Sequence, residues 1–289
     1  MKIYVAGHRG LVGSALVRTI EADAEHTWIG QTRQQLNLLD RKAVFEYVAK
    51  EKPDWVIIAA AKVGGIQANS SYPVQFLSEN LQIETNLLDA CHEANVDRVL
   101  FLGSSCIYPK MSPQPIKEEY LLTGPLEPTN EAYALAKISG LKLVEAYRKQ
   151  YGHSWISAMP TNLYGPGDNF DKESSHVLPA LIRKFSDATR ANSESVTLWG
   201  SGSPLREFLY VDDLASACLH LLANYDGDIP LNVGTGEEVS IKNLATLIAK
   251  TTDFKGEVVW DPMKPDGTLR KLLDTEMMRN LGWSPKTFL

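Results

Sequence analysis

The chain opens on a short apolar run, Lys2-Ile3-Tyr4-Val5-Ala6, that stops at a glycine. Gly13 to Glu21 follows, with apolar residues at the three- and four-residue spacing of a helix. The same alternation then repeats. His26 to Gly30 predicts a second strand, Arg41 to Glu51 a second helix and Trp55 to Ala60 a third strand. Pro73 to Ala94 predicts a long helix with a stripe through Leu77, Leu81, Leu87 and Leu88, and Arg98 to Gly103 a fourth strand. Strands that are near-continuous apolar runs, with helices between them, are the pattern of a parallel sheet covered on both faces. With right-handed crossovers this predicts an α/β fold, a Rossmann-type doubly wound sheet.

Beyond about Ser157 the rhythm breaks. Thr161 to Phe170 reads as a loop, Val177 to Phe185 as a helix, Thr197 to Pro204 as a Gly/Ser loop and Arg206 to Val211 as a short strand. Asp212-Asp213 is placed to cap an Ala/Leu-rich helix running to about Ala223. These elements predict a smaller C-terminal lobe over the carboxyl edge of the sheet, where ligands of such folds bind.

Composition narrows the class. The 289 residues carry 29 Lys plus Arg against 35 Asp plus Glu, a net charge of −6 with no basic run, which disfavours a nucleic-acid partner. The longest uncharged apolar run, Trp55 to Ala61, falls far short of the ~20 residues of a membrane span. The first residues lack the charged-then-apolar pattern of a secretory leader. Cys91, Cys106 and Cys218 form no CxxC pair, and HExxH and clustered acids are absent from the sequence pattern. We therefore expect a cytoplasmic protein with neither disulfides nor a metal site.

Gly7-His8-Arg9-Gly10-Leu11-Val12-Gly13 joins the first strand to the first helix. Glycines at this junction let backbone N–H groups approach a pyrophosphate, and the helix N-terminus adds its partial positive charge. NAD sites of this type carry an acid after the second strand to hold the ribose hydroxyl. Trp28 to Arg33 has no acid and ends in an arginine, so Arg33 and Arg9 favour the 2′-phosphate of NADP(H). We expect residues 1–160 to form the NADP-binding domain, with later elements returning to its sheet, and 161–289 to form mostly the substrate lobe.

Tyr133 and Lys137 stand four apart in a helical stretch and so share a face. An ammonium beside a phenol favours phenolate, and such a phenol can exchange a proton with a carbonyl or alcohol during hydride transfer. Ser104 and Ser105, after Leu102-Gly103, place hydroxyls upstream of that helix. A free cysteine such as Cys106 is usually a small buried hydrophobe.

This set resembles the extended short-chain dehydrogenase/reductase superfamily in its nucleotide-sugar branch. Phe101 to Pro109, Pro160 to Asp168, Arg206 to Asp213 and Lys264 to Thr268 are similar to strings of the NADPH-dependent 3,5-epimerase/4-reductases of GDP-4-keto-6-deoxy-D-mannose. The resemblance runs from residue 1 to about residue 285. It implies that Ser104, Tyr133 and Lys137 serve hydride transfer, with Cys106 as base and His176 as acid in epimerisation. A neighbouring Lys or protonated His would lower the Cys106 pKa, and His176 would titrate near neutral pH. It implies NADP contacts at Gly7 to Gly13, Arg33, Leu102 to Ser105, Tyr133, Lys137, Pro160, Asn162, Leu163 and His176. Substrate contacts are implied at Ser104, Cys106, Asn162, Lys184, Trp199, Arg206 and Asp274. It also implies a homodimer built as a four-helix bundle from Pro73–Ala94 and Tyr133–Gln150 of each copy, and a further C-terminal helix that these 289 residues do not include. Open alternatives are a UDP-hexose 4-epimerase, a 4,6-dehydratase, a simple 4-ketoreductase and a non-catalytic NADPH sensor.

Overall fold

The computed structural model describes residues 1–171, 174–264 and 266–289, so Pro265 of the Lys264 to Thr268 string lies outside the described residues. In chain order the elements are β1 (Lys2–Ala6), α1 (Leu11–Glu21), β2 (Thr27–Ile29), α2 (Arg41–Glu51), β3 (Trp55–Ile58), α3 (Ile66–Ser71), α4 (Pro73–Glu93), β4 (Arg98–Leu102) and α5 (Glu131–Tyr151). Then come β5 (Ile156–Pro160), β6 (Asn162–Tyr164), α6 (Val177–Arg190), β7 (Ser195–Trp199), β8 (Leu205–Arg206), β9 (Phe208–Tyr210) and α7 (Val211–Asn224). The chain ends with β10 (Leu231–Val233), β11 (Val239–Ser240), α8 (Ile241–Thr251), β12 (Glu257–Asp261), β13 (Arg270–Lys271) and α9 (Glu276–Asn280).

Six strands form one sheet in the order β10-β5-β4-β3-β1-β2, and all five pairings are parallel. Successive residues of a strand face opposite ways, and both faces are buried. Tyr4, Ala6, Val56, Ile58 and Phe101 pack under α2, α4 and α5 with Val44, Leu87, Leu88 and Leu141. Ile3, Val5, Ile57 and Leu100 pack under α1 and α7 with Leu16, Ile20, Leu214 and Leu221. The doubly wound expectation therefore holds. The strand order reverses between β1 and β3, and a crevice opens at the carboxyl ends there. Smaller pairings (β7 with β12, β6 with β9, β8 with β11 and β13) carry a third apolar cluster of Leu178, Phe185, Val196, Leu198, Leu244 and Ile248 under α6 and α8.

Several elements differ from the sequence expectation. Asn162–Tyr164, expected within a loop, is a strand because it pairs with β9. Thr197–Trp199 likewise belongs to β7, held by β12. The single strand expected over Arg206 to Val211 is split at Glu207, which is fully buried between β8 and β9. Asp212 and Asp213 lie inside the first turn of α7 and do not cap it; Asp212 pairs with Arg18, and Asp213 accepts the Lys286 and Thr287 N–H groups. Helix α3 has too few apolar residues to show a period. The buried face of α4 runs through Phe76, Asn80, Glu84, Leu87, Leu88 and Cys91, leaving Leu77 and Leu81 on its flank. No helix among the described residues is long and apolar enough to cross a membrane.

Candidate active site

The glycine loop is a backbone-lined cradle. Gly7 has φ +90°, and a Cβ there would stand 2.8 Å from Ala60 Cα after β3. A Cβ on Gly13 would stand 2.0 Å from the Gly7 carbonyl oxygen, so α1 can begin hard against the turn only with glycine. The N-cap of α1, Gly10, offers no side-chain bond, leaving the first helical N–H groups facing the crevice. Gly7, His8, Arg9 and Gly10 line a cavity of about 610 Å³ with Gln31, Thr32, Arg33 and Gln34. Both arginines are therefore on its wall, and no carboxylate is. His8 turns its ring onto Trp28, with centroids 5.5 Å apart, and leaves Nδ1 buried without a hydrogen-bond partner. Burial, then Arg9, keeps that imidazole below its usual pKa. An orphaned buried nitrogen, a cradle that any Cβ would fill and two wall guanidiniums fit a dinucleotide carrying an extra phosphate.

Strand β4 delivers Gly103 and Ser104 to the same edge. Ser104 Oγ accepts the Cys106 N–H at 3.4 Å and starts a short 3-10 turn over Ser105–Ile107 that buries Ser105 and Cys106. Helix α5 brings up Tyr133 and Lys137 on one face. Tyr133 meets Phe76 of α4 edge-on at 6.3 Å, and Lys137 Nζ lies 6.0 Å from the Tyr133 ring centroid.

Two electrostatic expectations are corrected. Burial pushes the Cys106 thiol above its usual pKa, although Lys271, the Ser104 hydrogen bond and Lys137 all act to lower it. Burial also raises the Tyr133 phenol well above its usual value, with Cys106 and Glu84 adding to the rise. Burial thus favours the neutral form of both the thiol and the phenol. His176 is the N-cap residue of α6. Desolvation holds its imidazole below the usual value, Asp168 opposes this and Lys271 adds to it.

Lys271 is a residue that the sequence pattern does not single out. Half-buried on β13, it acts electrostatically on Cys106, His176 and Arg206, and so ties together groups far apart in the chain. Glu207 is another. Its carboxylate accepts the Gly236 N–H at 2.8 Å and the Leu273 N–H at 3.0 Å, while its carbonyl accepts Asn162 Nδ2 at 2.8 Å. That network ties the segments following β10 and β13 to Asn162.

The remaining candidates divide. Trp199 is 59% exposed, with the Lys264 ammonium 5.4 Å from its ring. Arg206 Nη1 donates to the Leu205 carbonyl at 2.8 Å, and Asp266 faces it electrostatically. Lys184 Nζ donates to the Thr197 carbonyl at 2.9 Å, so its charge is partly committed to β7. Asp274 is not brought to this group. Its carboxylate caps the Glu276 N–H at 2.9 Å and lines a separate groove with Lys117, Glu118 and Asp226. Leu11, Val12 and Leu163 pack partly against the core, Leu102 is buried, and Pro160 ends β5 beside Val233. Cys91 and Cys218 are buried in α4 and α7; burial raises both thiols, that of Cys218 to about 12. Asp23, Glu25 and His26 gather at the turn before β2, a grouping not expected from the sequence. His26 also packs edge-on against Trp55 there.

The NAD dependent epimerase/dehydratase family matches residues 3–234. The chain is 54% identical over 288 residues to GDP-L-fucose synthase 1 of Arabidopsis thaliana, covering 100% of this chain and 89% of that protein. It is 52% identical over 291 residues to the GDP-L-fucose synthase of Escherichia coli (strain K12), covering 98% of this chain and 91% of that protein. A crystal structure of a GDP-L-fucose synthetase from Naegleria fowleri bound to NADP is 32% identical, with a TM-score of 0.91 over 99% of this chain and 90% of that one.

Proposed function

The chain belongs to the NAD dependent epimerase/dehydratase family, and we propose on that footing that it is an NADPH-dependent GDP-L-fucose synthase. It converts GDP-4-keto-6-deoxy-D-mannose to GDP-L-fucose by inverting C3 and C5 and then reducing C4. The observation that carries this reading is the meeting of Cys106 with Tyr133, Lys137 and Lys271 after β4, in a chain whose first strand–helix turn carries the Arg9/Arg33 cradle.

When bound, NADPH supplies the hydride. The N–H groups of the Gly7–Gly13 loop would hold its pyrophosphate, Arg9 and Arg33 its 2′-phosphate, and Tyr133 and Lys137 its inner ribose. Gly103, Ser105, Pro160, Asn162, Leu163 and His176 would line its nicotinamide end. On the sugar, the 4-keto group acidifies the protons at C3 and C5. Cys106 removes a proton from one ring face, and His176 returns one to the other, passing through an enolate. Ser104 holds the C4 oxygen, and Tyr133 gives it the proton that completes reduction. Because the thiol starts neutral, abstraction requires it to ionise, and Lys271 is the cation best placed to hold the thiolate. Arg206 and Lys184 would hold the diphosphate and Trp199 the base or sugar.

The substrate lobe would comprise most of 161–289. Val74 and Leu135 are 72% and 41% exposed on α4 and α5, and with Leu77 and Leu81 they supply an apolar flank for the four-helix homodimer. Three unpaired cysteines suit a reducing cytoplasm. Turnover of the GDP-linked ketosugar with NADPH, with identification of the product sugar, tests the assignment.

A further inference from the structure

Helix α4 aims a second charge at the catalytic helix. Glu84, 1% exposed, sits midway along its buried face. Its Oε1 lies 2.9 Å from Lys137 Nζ, and the two side chains are 2% and 3% accessible. Neither Glu84 oxygen has another hydrogen-bond partner among the described residues. The ammonium also lies over the Phe101 ring, 4.7 Å from its centroid. Room for this arrangement comes from Gly140, one turn along α5 from Lys137. A Cβ there would stand 2.4 Å from Phe101 Cζ and 2.7 Å from Glu84 Oε2.

A carboxylate is not placed in a dry helix interface for stability, since an apolar pair of the same shape does as well. Its position toward Lys137 has a chemical consequence instead. We propose that Glu84 is a positioning residue of the catalytic set, acting through Lys137 to fix where the ammonium sits and how much positive charge Tyr133 experiences. This inference rests on the assignment of Tyr133 and Lys137 to hydride transfer.

The groups facing the phenol are Lys137 from its own helix, Glu84 from α4 and Cys106 from the turn after β4, behind which stands Lys271. Glu84 and Cys106 work against phenolate, and Lys137 works for it. With its partner present, the ammonium is held off Tyr133 and the phenol stays protonated, the form that must donate to the C4 oxygen. Without the carboxylate, the uncompensated ammonium favours phenolate and the phenol titrates at lower pH.

The test compares wild type with Glu84→Gln and Glu84→Asp, each loaded with NADP. Subtracting the matching Tyr133→Phe protein isolates the tyrosinate absorbance of residue 133, a readout independent of turnover. The titration is expected to fall by about one pH unit or more in Glu84→Gln, with Glu84→Asp in between. In assays with the GDP-linked ketosugar, the high-pH limb of kcat for reduction should fall by a similar amount, while the KM for the sugar changes by less than about threefold. A purely packing role for Glu84 would lower thermal stability and leave both pH readouts unmoved, and that result overturns the proposal. If the Gln protein does not fold, the Asp protein carries the same test: an unshifted Tyr133 titration there is equally decisive. Wild type inactive on this sugar would count against the assigned reaction, while the titration would still decide the role of Glu84.

Discussion

Lys271 on β13 and Cys106 after β4 line the same small cavity of about 50 Å³, and the Lys271 ammonium is the largest influence opposing the burial that raises the Cys106 thiol. Loss of the cation must therefore raise the thiol further. Lys271→Met is expected to move the thiolate-dependent limb of C3/C5 proton exchange to higher pH. At neutral pH, deuterium incorporation from solvent should drop about tenfold for every pH unit by which that limb moves, and recover as the pH rises. Exchange with an unchanged pH profile would separate Lys271 from the thiol.

Cys106→Ser keeps the size of the side chain and replaces a thiol with a hydroxyl that does not ionise in the working range. Inversion is expected to fall by about 100-fold or more, the scale of a lost general base, while ketone reduction persists. NMR of the product should then show a C4-reduced sugar with the starting configuration at C3 and C5. Normal GDP-L-fucose from this variant would remove Cys106 from the mechanism.

Arg33 reaches the cradle wall from beyond β2, and no acid lines that cavity. Arg33→Ala is expected to weaken NADPH by about 10- to 100-fold, the loss of one charge-assisted phosphate contact, and to leave NADH nearly unchanged. Kd values from fluorescence titration check this, and equal weakening of both cofactors would contradict it.

Glu207 satisfies two backbone donors at once, the buried Leu273 N–H and the N–H of the exposed Gly236. Glu207→Ala should destabilise the fold by about 1–3 kcal/mol through the orphaned, buried Leu273 N–H. Urea unfolding gives the number, and a loss under about 1 kcal/mol would show that water replaces the carboxylate.

Groups that sit within a few residues of one another are legible in the sequence. The Gly7–Gly13 turn, Ser104 and the Tyr133/Lys137 pair each depend on a strand–loop or helix register that the local pattern already contains. Lys271 carries no such signal, because only the pairing of β13 with β8 brings it toward Cys106 and Arg206. Strand β6 is hidden for the same reason: a segment of three residues becomes a strand only when a partner exists, here β9. Glu84 does leave a trace. A stripe drawn through Leu77 and Leu81 conceals it, whereas the four-residue spacing of Phe76, Asn80 and Glu84 exposes two polar residues on a buried face. The pKa directions of Cys106 and Tyr133 run against the sequence expectation because nearby cations are visible in a sequence and burial is not.

The central claim is tested most directly by incubating the protein with GDP-4-keto-6-deoxy-D-mannose and NADPH, following NADPH oxidation and determining the product configuration by NMR. The expected result is stoichiometric oxidation with GDP-L-fucose as the product, inverted at C3 and C5. A product reduced at C4 with C3 and C5 unchanged, or no oxidation at all, would contradict it.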